Sequence, residues 1–121
     1  MSKLSTSAKR STQTKSATIE GREKVSTQGI IQRFPDGISL IDVDVFTGQN
    51  GNYPVFAIAE DPKIYFNGGK VLMDIVNGWL ELYNGDLTQI QADLKTEPVR
   101  IRLSNKKSKN GKTYVNVEVL N

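Results

Sequence analysis

The spacing of apolar residues along this chain of 121 residues switches from one period to another and back, and that switch limits the fold more than any motif. From Ile38 to Phe46 residues alternate, with Ile41, Val43 and Val45 on one face and Asp42, Asp44 and Phe46 on the other, the pattern of a half-buried strand. Tyr53 to Ala59 reads as a further strand. After Gly68-Gly69 the period changes: Val71, Leu72, Ile75, Val76, Trp79, Leu80 and Tyr83 recur at three- and four-residue spacing, which predicts an amphipathic helix with Trp79 in its core-facing stripe. Alternation then returns twice. Val99, Ile101 and Leu103 oppose Arg100 and Arg102, and Val115, Val117 and Val119 oppose Tyr114, Asn116 and Glu118.

Turn residues divide these runs. Val25 to Phe34 is rich in β-branched and apolar residues and reads as the first strand, stopped by Pro35-Asp36-Gly37, where proline presets φ and glycine accepts φ > 0. Gly48 to Asn52 is a second turn cluster. Asn84-Gly85 ends the helix, and Asp86 with Gln89 caps a short second helical stretch through Leu94. Pro98 opens the fourth strand. A loop from Ser104 to Lys112, containing the hairpin signal Asn110-Gly111, leads to a fifth strand from Thr113 to Leu120.

A three-strand meander, a helix and a closing hairpin define a mainly β fold: a five-stranded OB-fold barrel with one main helix between strands three and four. The apolar helix stripe would plug the open end of the barrel. An α+β sandwich, with the helix on one face of an open sheet, fits the same order less directly. The domain is expected over residues 21–121. Residues 1–20, which are Ser-, Thr-, Lys- and Arg-rich with the first acid at Glu20, are expected to form a flexible basic N-terminal arm.

Composition narrows the chemistry. The chain has neither cysteine nor histidine, which removes Ser–His and Cys–His nucleophile systems and nearly all zinc sites. Asp42 and Asp44 share a face, but no third ligand or general base accompanies them, so no catalytic residue, metal site or cofactor is expected. The sequence has no apolar run near the ~20 residues of a membrane span. A net charge of +3 and a pI near 9.2 lean toward a polyanionic partner.

The densest positive feature is the segment between the last two strands, where Lys106, Lys107, Lys109 and Lys112 stand without an acid. In OB-folds that loop borders the nucleic-acid groove. Four phosphates neutralised on a single strand correspond to a salt slope of roughly −2.8. A solvated hairpin tip that discourages edge pairing is the plainer reading of the same lysines. Arg100 and Arg102 face outward on the approach to this loop, placed either for phosphate and base contact or for a surface pair with Glu118. Phe46 and Tyr114 lie on polar strand faces, and Phe34 and Tyr53 flank turns, so these four rings are candidates for base stacking. Phe56 and Ile58 are assigned to the core. Tyr65 and Phe66 fit either a packed loop or the groove.

The run from Tyr65 to Asn121 resembles the small single-strand-binding proteins of bacteriophages that infect Gram-positive hosts, the lactococcal-phage type in particular. The likeness is carried by Phe66-Asn67-Gly68-Gly69-Lys70 at the helix start and Asn110-Gly111-Lys112-Thr113-Tyr114-Val115 near the end. It implies sequence-tolerant binding of single-stranded DNA in phage replication or recombination, in the cytoplasm of a bacterial host. It also implies self-association as a dimer or tetramer, and DNA contacts at Lys106, Lys107, Lys109, Lys112 and Tyr114. Cellular single-strand-binding proteins recruit partners through an acidic, Phe-terminated tail. Here the last strand runs out at Val119-Leu120-Asn121 with no such tail, so contact with a recombinase or replication protein is expected through the body of the domain. An RNA-binding OB module and a protein–protein adaptor or inhibitor are the alternative readings.

Overall fold

The computed structural model of the chain describes residues 16–121. Strand β2 (Ile38–Gly48) joins the two halves of its sheet. It pairs antiparallel with β3 (Gly51–Ile58) from Gly48↔Gly51 to Leu40↔Ile58, and with β5 (Val99–Lys107) only through Ile38–Leu40. The register shifts between Leu40 and Asp42. That bulge changes which side chains face inward: Ile38 and Leu40 point to the same core as Val43 and Val45, although simple alternation would separate them. Ile41, expected on the core face, is half-buried at the bulge.

Two further strands lie outside this centre on one side, β4 (Ile64–Asn67) on β3 and β1 (Glu23–Lys24) parallel to β4. On the other side β6 (Thr113–Val119) pairs with β5. The order β1-β4-β3-β2-β5-β6 makes one six-stranded sheet, curled into a half-barrel. The mainly β expectation is met, but five strands with one main helix are not what forms. Among the described residues there are six strands and three helices, and no pairing joins β1 to β6.

The clearest correction is the expected first strand. Within Val25–Phe34, residues Thr27–Arg33 form helix α1. Ser26 caps it by accepting the Gly29 N–H at 3.0 Å, and the Phe34 N–H closes its last turn onto the Ile30 carbonyl at 2.9 Å. The burial pattern is helical: Ile30 is 1% exposed and Phe34 packs against the core, while Gln32 between them, which a strand would turn to the same face, is exposed. The Thr27 hydroxyl donates to the Asn67 carbonyl at 3.0 Å, and Gln28 and Asn105 exchange amide hydrogen bonds at 2.9 and 2.8 Å. Helix α1 therefore bridges β4 to β5 across the open side of the half-barrel. The third meander strand is β4, in a stretch that was not assigned to a strand.

The predicted long helix is α2 (Lys70–Leu82), which buries Leu72, Met73 and Val76. Trp79 is only partly buried at the margin of the core, and Val71 is 48% exposed. Asn84 (φ 54°) and Gly85 (φ 81°) end it in the left-handed region, with the Gly85 N–H on the Leu80 carbonyl at 2.7 Å. Helix α3 (Leu87–Thr96) follows, capped by Asp86 through the Gln89 N–H. No described helix is long and apolar enough to cross a membrane.

Of the expected arm, residues 1–15 lie outside the described residues. Ser16–Glu20 form a turn that Arg22 fastens, donating to the Ala17, Thr18 and Pro62 carbonyls at 3.0, 2.9 and 2.8 Å. Thr18 in that turn is 1% exposed.

Two outcomes test this account. Ile30→Ala should destabilise the protein by about 2–5 kcal/mol in urea unfolding, and Ile31→Ala by clearly less, because only Ile30 is fully enclosed. The Tyr83 hydroxyl donates to Asp93 at 2.6 Å, and this bond to a carboxylate holds the phenol above its ordinary 10. Its contribution to stability is present below pH 10 and disappears as pH rises through the raised value; in ultraviolet titration, Asp93→Asn should move Tyr83 ionisation downward.

Candidate nucleic-acid interface

The sheet has an inner face on the core and an outer face whose members follow from the register. Phe46 stands opposite Tyr53, Asp44 opposite Val55, and Asp42 opposite Ala57. Ala57 in turn neighbours Tyr65, and Val55 neighbours Asn67. Lys24 of β1 lies beside Tyr65. The alternation that sends Phe56, Ile58, Ile64 and Phe66 into the core thus sends Phe46, Tyr53 and Tyr65 outward.

These three rings surround a shallow hollow of about 390 Å³, floored by Val55 and edged by Lys24, Asn67 and Ile19. The Phe46 and Tyr53 rings are 5.9 Å apart between centroids and tilted by 35°. Each ring is partly exposed, which leaves π-surface for a flat ligand. Tyr53 also lines a second hollow of about 580 Å³ between the Gly48–Asn52 turn and the start of α2. The N-cap of that helix, Gly69, has no side-chain acceptor for the first amides, and Lys70 stands beside it.

The lysine segment is shorter as a loop than its sequence implies. Strand β5 continues to Lys107, and the Ser108 N–H meets the Lys112 carbonyl at 2.8 Å, so only Ser108–Lys112 turns, with Gly111 at φ 78°. Lys106 is directly opposite Tyr114 on the outer face, and Lys107 faces Thr113 on the inner side, beyond the core. Lys106, Lys107, Lys109 and Lys112 are all exposed, and Tyr114 is 48% exposed. The Gln28–Asn105 pair fixes the base of this hairpin to α1, whose Thr27 holds Asn67 at the margin of the aromatic hollow. Helix α1 thus links the base of the lysine hairpin to the strand that carries Asn67.

Arg100 and Arg102 also face outward, but each meets a carboxylate. Arg100 pairs with Glu60 at 3.2 Å and reaches the Ser39 hydroxyl at 3.0 Å, and Arg102 pairs with Glu118 across the strands. Phe34 caps α1 against the core and is not among the residues lining the hollow. Asp42 and Asp44 each accept the N–H of the following residue, at 2.9 and 2.8 Å, and no cluster of three potential metal ligands occurs among the described residues. Lys24 joins the site without having been selected from the sequence, and Tyr65, which the sequence leaves between a packed loop and the groove, lines the hollow while Phe66 enters the core. The alternation Ile64-Tyr65-Phe66-Asn67 is the signal that places Tyr65, once those four residues are read as a strand.

No protein-family model matches the chain, and no curated protein or solved structure matches it significantly.

Because both partners are nearly half exposed, a double-mutant cycle on Arg102 and Glu118 should return a coupling of only about 0–1 kcal/mol in thermal or urea unfolding.

Proposed function

We propose that the protein binds single-stranded DNA without strong sequence preference, the bases stacking over Phe46, Tyr53 and Tyr65 and the backbone running along the lysine hairpin. The observation that carries this reading is the outer sheet face: three partly exposed rings around one hollow, with Lys24 beside them and a cationic hairpin linked through α1 to the strand that carries Asn67. Stacking on rings contributes about 1–3 kcal/mol per base and tolerates any base.

The fold supports the reading. Leaving aside the two-residue β1, the strands follow the meander–helix–hairpin order of an OB-fold, with the first long strand bonded both to its successor and to the strand after the helices. Helix α1 stands where a closed barrel would continue its sheet. Neutralisation of Arg100 and Arg102 by Glu60 and Glu118 makes the lysines, and not the arginine row, the principal phosphate contacts. The resemblance to phage single-strand-binding proteins extends the proposal to phage replication or recombination in the bacterial cytoplasm, with a recombinase or replication protein meeting the body of the domain.

Fluorescence anisotropy with labelled oligo-dT and a matched duplex, across a salt series, tests this. Binding should be confined to the single strand. Tyr53→Ala should weaken it roughly 5- to 150-fold, and Lys106/Lys107/Lys109→Ala should flatten the log–log salt slope by about 2. Absence of single-strand binding at low salt would overturn the proposal and direct attention to a protein partner for the same hollow.

A further inference from the structure

The two edges of the sheet differ. On one side β1 runs along β4, and the Val25 N–H continues that pairing onto the Tyr65 carbonyl at 2.9 Å. On the other side β6 has no neighbour beyond β5 among the described residues. Its spare groups can be assigned. The Leu120 N–H donates to the Arg100 carbonyl at 2.8 Å, and the register runs on through Arg102↔Glu118. Even-numbered residues of β6 therefore turn their N–H and C=O toward β5, while Thr113, Val115, Val117 and Val119 turn theirs to the open edge. No described backbone group outside the sheet takes them up.

Few guards against edge pairing are present, and the one charge on β6, Glu118, is paired with Arg102. Between Thr113 and Val119 there is no proline, no lysine and no register shift. Exposed apolar groups lie along the strand instead: Tyr114 at 48%, Val119 at 53% and Leu120 at 39%.

We propose that a second copy of this chain pairs here, β6 against β6, antiparallel about a twofold axis at Val117. The strand is complementary to itself in that register. Val115 falls opposite Val119 of the second copy, Tyr114 opposite Leu120, and Asn116 opposite Glu118, so exposed apolar groups meet and no like charges oppose. The three central pairs supply about six backbone hydrogen bonds. A slip that centred the axis on Val115 would set Tyr114 against Asn116 and leave Leu120 uncovered, so side-chain pairing selects the register. Room for the second strand exists beside the edge. A hollow of about 600 Å³, lined by Trp79, Tyr83, Leu94, Val99 and Val119, opens where Val115 and Thr113 of the second copy would descend.

The pairing does not depend on the nucleic-acid reading and is tested without nucleic acid. Sedimentation velocity of the full chain at ~100 μM should give twice the 13.4 kDa monomer mass. Val117→Pro should weaken the dimer at least about tenfold, since the amide it removes points to the open edge and the β5–β6 ladder keeps all of its bonds. A second variant guards against misfolding of the first. The chain has no cysteine, so Asn116→Cys combined with Glu118→Cys places thiols opposite each other in a non-hydrogen-bonded pair, about 4.5 Å between Cα atoms, where a disulfide is allowed. Oxidation should then yield a covalent dimer. A wild-type chain that sediments as a monomer, a dimer that survives Val117→Pro, or a dimer whose paired cysteines do not cross-link would overturn the proposal.

Discussion

The architecture depends on β2 changing partners at its bulge. Before Leu40 the strand belongs to β5, and beyond Asp42 it belongs to β3 alone. A flat strand could serve both neighbours along its whole length, but the extra residue bends this one and advances its inward set from Ile38 and Leu40 to Val43 and Val45. The sheet can then curl around a single core, with the β3–β4 wing and the β5–β6 wing diverging. The divergence leaves an opening that α1 spans.

The parts of the fold that were legible in the sequence are those where one period dominates over many residues. The α2 stripe, its Asn84-Gly85 end and the Asp86 cap of α3 are found where spacing and capping chemistry place them. Two elements were misread for physical reasons. The Val25–Phe34 segment has strand-like composition, but Gln32 is polar between Ile30 and Phe34 and Ser26 supplies a cap, so burial of a helical face against β4 and β5 outweighs β-propensity. Strand β4 has only four residues, too few for alternation to rise above chance. Losing it also lost Tyr65, because the ring's exposure follows from strand phase. The outward placement of Phe46 and Tyr53 was legible, since plain alternation is intact after the bulge.

The charge pattern could be read only in part. Lysines in a run are visible in the sequence, but whether an arginine is available depends on which acid folding brings beside it. Glu118 was a plausible neighbour for the arginines because both lie on adjacent strands. Glu60 was not, since it reaches Arg100 only after β3 and β5 are set on either side of β2. Charge is therefore divided along this wing: Arg100 and Arg102 of β5 are paired, and the hairpin lysines have no carboxylate partner among the described residues.

The bond between Gln28 and Asn105 joins residues 77 positions apart. A contact that closes so long a loop is entropically unfavourable until the segments between its ends are already in place. On a ribosome, Ser26–Phe34 emerges early but finds its seat only when β5 has been made. Until then Ile30 has no enclosed site and the helix, seven residues long, is too short to hold its shape alone. Completion of this domain is consequently a late event in its synthesis, and Ser26–Phe34 waits for the C-terminal hairpin before it becomes structure.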